Sequence, residues 1–309
     1  MTDNPILVIG ATGQHGGTGG LLVRRLRCEG YPVRVLARTL SERTDRLSEL
    51  GAEVVVGDLT DRRTLVPALA DVDLAYFTYP IAAGVVLAAA NYAAAVREVG
   101  RSPRTVVMSM GPAHPDHLSD LGRAQWLAEQ MLGWAGLELL ILRVTALFHE
   151  NLRVLHAQSI RAGGVLRSSF GDAKVPWVSG VDAAELGLSA LLHPERFEAP
   201  VCYPTGNEIF SYADIADVLT DVLQTPIRHQ PISAGEWRDD LVELAGNDGE
   251  AVVNVAMAQH ISSVGHMVAA RGPVADQHKF HPLHRLIDRE SLSLRQFVDD
   301  NRAAFSGSP

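Results

Sequence analysis

Lysine is almost missing from this sequence: Lys174 and Lys279 are the only two, so arginine carries nearly all of its positive charge. Acidic residues outnumber basic ones by 36 to 27, for a formal charge of −9. That balance argues against the phosphate backbone of a nucleic acid as the main ligand. Cysteine is as scarce. Cys28 and Cys202 offer neither a disulfide framework nor zinc-ligand spacing, and Cys28 reads as a small core residue. Aromatics make up 6% of the chain, and Trp126, Trp134, Trp177 and Trp237 are too scattered for a base-stacking platform. No apolar run approaches the roughly 18 residues of a membrane helix. The stretch Met1 to Pro5 has no basic region and leads straight into an apolar run, so no signal peptide is expected and the cytoplasm is the expected compartment.

What is present is a globular composition, 47% hydrophobic and 20% charged over 309 residues, enough for one large α/β domain with a smaller lobe. Its organising stretch lies at the start. The apolar run Ile6-Leu7-Val8-Ile9 breaks into Gly10-Ala11-Thr12-Gly13-Gln14-His15-Gly16-Gly17-Thr18-Gly19-Gly20, which opens onto helically spaced Leu21-Leu22-Val23-Arg24-Arg25-Leu26. Strand, glycine loop and helix are the context of a dinucleotide fingerprint. Glycines permit the tight turn and the close approach of backbone to a pyrophosphate, whose charge sits at the helix N-terminus.

Further strands are expected at Pro32–Ala37, Glu53–Val56, Asp73–Thr78, Arg104–Met108 and Glu138–Leu142, with helices between them, one of them capped by Asp61 and running to Leu69. The alternation implies right-handed crossovers and a Rossmann-type, doubly wound parallel sheet over residues 1–150. Residues 151–309 are expected to form a smaller C-terminal α/β substrate lobe interleaved with it. There the pattern suggests a strand at Val175–Val178, helices from Ala183 and Ser211, helix over Gly235–His260, no clear period over Gly265–His284, and a last helix over Ser291–Phe305.

In such a sheet ligands lie off the carboxyl ends of the strands. The second strand ends in Arg38, with Arg43 one turn on; an Arg there suits the 2′-phosphate of NADP, where Asp or Glu would select NAD. Asp58 ends the third strand, near the expected adenine position, and would otherwise serve as a turn or helix cap. His281-x-x-His284 invites a metal reading, but Pro282 intervenes and no carboxylates converge, so no metal site is expected.

Several segments together resemble the NmrA-like family of atypical short-chain dehydrogenases/reductases: Gly10-Ala11-Thr12-Gly13, Arg38, Gly57-Asp58, Thr78-Tyr79-Pro80, Arg143 to Leu152, Val175 to Val178 with Asp182, Ser211 to Ala216, and Ser293 to Phe305. The resemblance runs almost the whole length. It implies NADP(H) held between a Rossmann domain and a smaller lobe. It also implies a divided function, with some members acting as reductases of small substrates and others as nucleotide-sensing regulators. The implied cofactor contacts are Gly10, Ala11, Thr12, Gly13, Gln14, His15 and Gly16, then Arg38, Asp58, Leu59, Thr78, Tyr79 and Pro80, and finally Ser109, Gln125 and Thr145.

Two departures stand out. Fourteen residues separate Gly16 from Gly30, whereas Gly19 lies eleven before it, the family spacing; either could be the close-packing glycine. No Tyr is followed by Lys at the fourth position, so the Tyr-x-x-x-Lys dyad of typical relatives is absent, and the slot of a lone family lysine falls on Gln125. Ser109, Tyr79, His149 and Gln125 are then the candidates for catalysis. The leading expectation is an NADPH-dependent oxidoreductase of a small carbonyl, quinone or enone. A non-catalytic NADP(H) sensor and a redox-neutral dehydratase, cyclase or rearrangement enzyme are the alternatives. A small-molecule substrate is expected, with no nucleic acid or membrane partner, and a homodimer is left open.

Overall fold

The computed structural model describes residues 4–13, 15–246, 252–271 and 280–306. Six strands, β1 (Ile6–Ile9), β2 (Val33–Ala37), β3 (Glu53–Val56), β4 (Leu74–Phe77), β5 (Arg104–Met110) and β6 (Leu139–Val144), pair in parallel as the alternation requires. Helices α1 (Thr18–Cys28), α2 (Glu42–Glu49), α3 (Arg62–Leu65), α4 (Val85–Val99) and α5 (Asp120–Trp134) connect them. All four β1 residues are at most 2% exposed, the signature of a strand covered on both faces. Side-chain alternation sends Ile6 and Val8 into a core with Leu22 and Leu26 of α1. Leu7 and Ile9 go the other way, to Ala88 and Tyr92 of α4 and Leu132 of α5.

Beyond residue 150 the chain builds a lobe and also returns to this sheet. A short β7 (Leu147–Phe148) pairs with β9 (Val175–Val178), which pairs with β11 (Glu208–Phe210). Strands β8 (Val165–Ser168) and β12 (Arg228–Pro231) form a separate pair. Meanwhile β10 (Val201–Thr205) and β13 (Phe280–Pro282) extend the main sheet to eight strands in the order β13-β10-β6-β5-β4-β1-β2-β3. Leu152–His156, wound as a π-helix, leads into α6 (Ala157–Gly163). Helix α7 (Gly180–Leu192) buries Leu186, Ala190 and Leu191 in the α1-side core. The lobe's own core gathers Trp177, Tyr212 and Trp237 among α8 (Tyr212–Leu223), α9 (Ala234–Ala245), α10 (Val255–Arg271), α11 (Leu294–Asp300) and α12 (Arg302–Phe305).

Several expected elements are corrected. The helix after Asp61 stops at Leu65 and Pro67 starts a 3-10 turn; Val66 keeps helical angles, but proline has no N–H to continue the helical hydrogen-bond ladder. The helix expected over Gly235–His260 is two helices: α9 ends at Ala245 and α10 starts at Val255. The aperiodic Gly265–His284 segment holds the end of α10 and strand β13, and the last helix breaks at Asn301 into α11 and α12.

Candidate cofactor and substrate cleft

The glycine-rich loop leaves β1 through Gly10 at φ +86°, where a Cβ would collide with Thr78 Cγ2. The Gly13 N–H donates to the Gly10 carbonyl at 3.1 Å, closing the turn. Gly17, at φ +62°, then starts α1. Gly19 is buried in the first turn of α1; a Cβ there would lie 2.6 Å from the Gly10 oxygen and 2.8 Å from Ala11 Cα. Gly19, not Gly16, is therefore the close-packing glycine, and the extra loop residues precede the helix.

Those extra residues fold towards the C-terminal lobe. Gly16 lies against the Phe148 ring, and its carbonyl oxygen meets Gly180 so closely that a Cβ on Gly180 would clash with it. His15 packs beside Asn151 and Arg153, and burial pulls its pKa down to about 4 against the opposing pull of Asn151. Gln14 lies outside the described residues.

At the β2 and β3 ends, Arg38 is exposed, and the Arg43 guanidinium donates to the Thr12 carbonyl at 3.2 Å, tying α2 to the loop. Asp58 shapes its turn: its carboxylate accepts the Thr60 N–H at 2.8 Å, and its own N–H donates to Thr64 Oγ1. The Leu59 carbonyl accepts from Asn91 at 2.9 Å. Tyr79 donates to the Ala83 carbonyl at 3.3 Å. Burial first, then the Asp58 charge, raises its pKa while Arg38 opposes them, so it belongs to the Arg38–Asp58 end of the crevice. Pro80 turns its carbonyl to the Ala82 N–H at 2.7 Å.

At the other end, the buried Ser109 hydroxyl donates to Glu129. The same carboxylate accepts Arg143 Nε at 3.0 Å and Nη2 at 2.5 Å, and Arg143 Nη1 donates to the Tyr203 hydroxyl at 2.8 Å. Ser109 and Arg143 are register partners on β5 and β6, which is why one carboxylate reaches both. Ser109 thus spends its proton on Glu129. Gln125 is buried one turn before Glu129 on α5. Thr145 donates to the Arg143 carbonyl at 3.0 Å and packs where a Cβ on Gly111 would lie 2.8 Å from its Oγ1.

His149 is a correction. Strand β7 turns Phe148 towards Gly16 and therefore sends His149 the opposite way, where it is 1% exposed between Trp177 and Phe297. Among the later histidines, His260 Nδ1 lies 2.6 Å from Ser119 Oγ, and His281 Nδ1 accepts the Tyr203 N–H at 3.3 Å. His278 lies outside the described residues. No group of three metal-ligating side chains occurs among the described residues, and no described helix is long and apolar enough to cross a membrane.

Glu150, not among the sequence candidates, joins the two halves of the chain. It is 7% exposed, and both its oxygens accept the Gly180 N–H, at 2.9 and 3.0 Å, at the start of α7. Burial pushes its pKa up to about 7, against the Gly180 bond and the Arg153 charge. A carboxylate two residues beyond a short apolar run was the available signal.

A loop that excludes Cβ atoms at Gly10 and Gly19, and runs onto a helix N-terminus, suits a dinucleotide pyrophosphate. A sequence profile of the NmrA-like family matches residues 2–264. The chain belongs to the NmrA-like family. An NAD(P)H azoreductase from Xenophilus azovorans is 31% identical over 233 residues, 74% of this chain and 77% of that protein. A (4-alkanoyl-5-oxo-2,5-dihydrofuran-3-yl)methyl phosphate reductase from Streptomyces griseus is 31% identical over 242 residues, 77% and 80% of the two. Citrobacter sp. triphenylmethane reductase complexed with NADP(H) has the same fold, at TM-score 0.75 and 20% identity over 96% of this NmrA-like chain and 99% of that structure.

Proposed function

We propose that this chain is an NADPH-dependent reductase of small acceptors, quinones and enones above all. The observation that carries the reading is the pairing of the Gly10–Gly19 cradle with Arg38 at the end of β2, next to the loop that Arg43 ties to α2. The reductases among its relatives support it. When bound, NADPH supplies a hydride. The chain's own residues divide the remaining work. The loop and the start of α1 receive the pyrophosphate, Arg38 and Arg43 the 2′-phosphate, and Gln125 and Thr145 flank the reacting end. Asp58 and Tyr79 bound the adenosine side.

The substrate preference follows from proton supply. Ser109 is committed to Glu129, Tyr79 to Ala83, and His149 faces away from the loop. A quinone or enone spreads the incoming charge over a conjugated system and takes its proton from water; a simple ketone needs a donor at the oxygen. The same engaged side chains favour a second reading, an NADP(H) sensor without turnover. Fluorescence titration with NADPH, followed by NADPH oxidation with a quinone, an enone and an aldehyde, separates the two. A reductase binds NADPH and consumes it fastest with the quinone or enone. A sensor binds without substrate-dependent oxidation, and absence of binding sinks both.

A further inference from the structure

Two hydroxyls at the reacting end of the cleft turn their hydrogens into the protein. Ser109 donates to Glu129, whose carboxylate is held by Arg143 and can only accept, and Thr145 donates to the Arg143 carbonyl at 3.0 Å. What these oxygens have left for a ligand is lone pairs. Donation to a carboxylate also polarises the Ser109 O–H bond and makes its oxygen the stronger acceptor.

Gln125 is different. It is 7% exposed, yet its carboxamide has no hydrogen-bond partner among the described residues. Its place follows from the crossover. Because β5 and β6 are parallel, α5 between them runs back from the carboxyl end of β5. Glu129 meets Ser109, the last residue but one of β5, so Gln125, one turn or about 5.4 Å nearer the start of α5, stands beyond the end of that strand. Ligands of a parallel sheet lie there. A buried amide without partners is costly, and a ligand that completes it recovers that cost. This one can donate to a carbonyl oxygen but cannot protonate it.

We propose that Gln125 and Ser109 together select the substrate: a conjugated carbonyl compound that carries an N–H or O–H donor next to its carbonyl group. The Gln125 amide donates to the carbonyl oxygen, and the Ser109 oxygen accepts the neighbouring donor. Glu129 is the positioning residue, since it keeps the Ser109 hydrogen out of the cleft. This class lies within the quinones and enones proposed above and rests on that reading. A compound with an alkyl group in place of the donor leaves the Ser109 oxygen unanswered and is rejected for it.

Two naphthoquinones of nearly equal size supply the test. 2-Amino-1,4-naphthoquinone carries a neutral N–H donor beside a carbonyl, and 2-methyl-1,4-naphthoquinone has a methyl group in its place. Each is titrated calorimetrically into the full-length protein, with and without NADP+, after NADPH binding has been measured by fluorescence. The amino compound is expected to bind about tenfold more tightly than the methyl compound. Ser109→Ala leaves the Glu129–Arg143 pair in place; it is expected to remove that margin without changing the affinity for the methyl compound, whereas Ser109→Thr retains the margin. Gln125→Leu is expected to weaken both compounds severalfold with the margin kept. Glu129→Gln offers Ser109 an amide donor and frees its hydrogen, so the margin narrows; a merely structural Glu129 would weaken both compounds alike. Equal affinity for the two quinones, a margin that survives Ser109→Ala, or no heat of binding with either quinone each overturns the proposal. Failure to bind NADPH overturns the reductase reading instead, and the margin measured without nucleotide then judges the Gln125–Ser109 pair by itself.

Discussion

Glu150 and Arg38 exert opposite kinds of control from single side chains. Burial raises the folded-state pKa of Glu150 from 4.5 to about 7. Between those values the folded protein keeps a proton that the unfolded chain has released. The contribution of this group to stability is therefore greatest below about pH 4.5 and is lost as pH rises through 7. At about 1.4 kcal/mol per pKa unit, the loss is on the order of 3 kcal/mol. Glu150→Gln retains an acceptor for the Gly180 N–H and cannot ionise. In urea unfolding, the stability difference between variant and wild type is expected to grow in the variant's favour from pH 5 to pH 8; a difference flat with pH contradicts the burial argument. Arg38 acts on the ligand instead. Charge-assisted bonds to a phosphate are worth about 1.5–3 kcal/mol, so Arg38→Ala is expected to weaken NADPH binding about 10- to 100-fold and NADH binding hardly at all. An equal loss for both nucleotides would remove Arg38 from the 2′-phosphate.

Among the elements, the first turn of α7 controls the glycine-rich loop from the other half of the chain. Ala is normally preferred to Gly in a helix, yet at position 180 its methyl would press on the Gly16 carbonyl. Gly180→Ala is therefore expected to weaken NADPH binding about tenfold while the circular dichroism spectrum stays that of the wild type. Gly19→Ala, whose methyl meets the Gly10 and Ala11 backbone, is expected to abolish binding at the same concentrations. This coupling shows where sequence reasoning reached and where it stopped. The run Ile6–Ile9, its glycines and the strands up to Leu142 could be read directly, because an apolar run followed by glycine has a local cause. The direction of His149 could not. It depends on the register of a two-residue strand, β7, against β9, which lies about thirty residues later, and a shift by one residue exchanges the faces. Choosing between Gly16 and Gly19 likewise required the position of Gly10. The engagement of Ser109 depended on Glu129 and Arg143 arriving together from α5 and β6.

For the molecule as a whole, buried imidazoles set the acid limit. Burial lowers the pKa of His15, His149 and His260 to about 4 and that of His156, stacked on Trp237, to about 3. Each is lowered from 6.5, so below that pH the unfolded chain binds protons that the folded state refuses, and stability falls as the pH drops. Each contributes up to about 1.4 kcal/mol per pH unit. Urea midpoints are therefore expected to decline steeply from pH 6.5 to 4.5; a midpoint constant over that range would mean that the histidines are not buried in the neutral form.

The eight-stranded sheet also has a calendar. Strand β6 ends at Val144, but its outer neighbour β10 begins only at Val201, and the Arg104 guanidinium closes on the carbonyls of Ala190 and Leu191. At roughly 5–20 residues per second of synthesis, the nascent chain carries an open parallel edge for about 3–12 s after β6 is made. During that interval the apolar flank of β6 is covered by neither β10 nor α7, and a chain halted there presents an unpaired strand to other copies of itself.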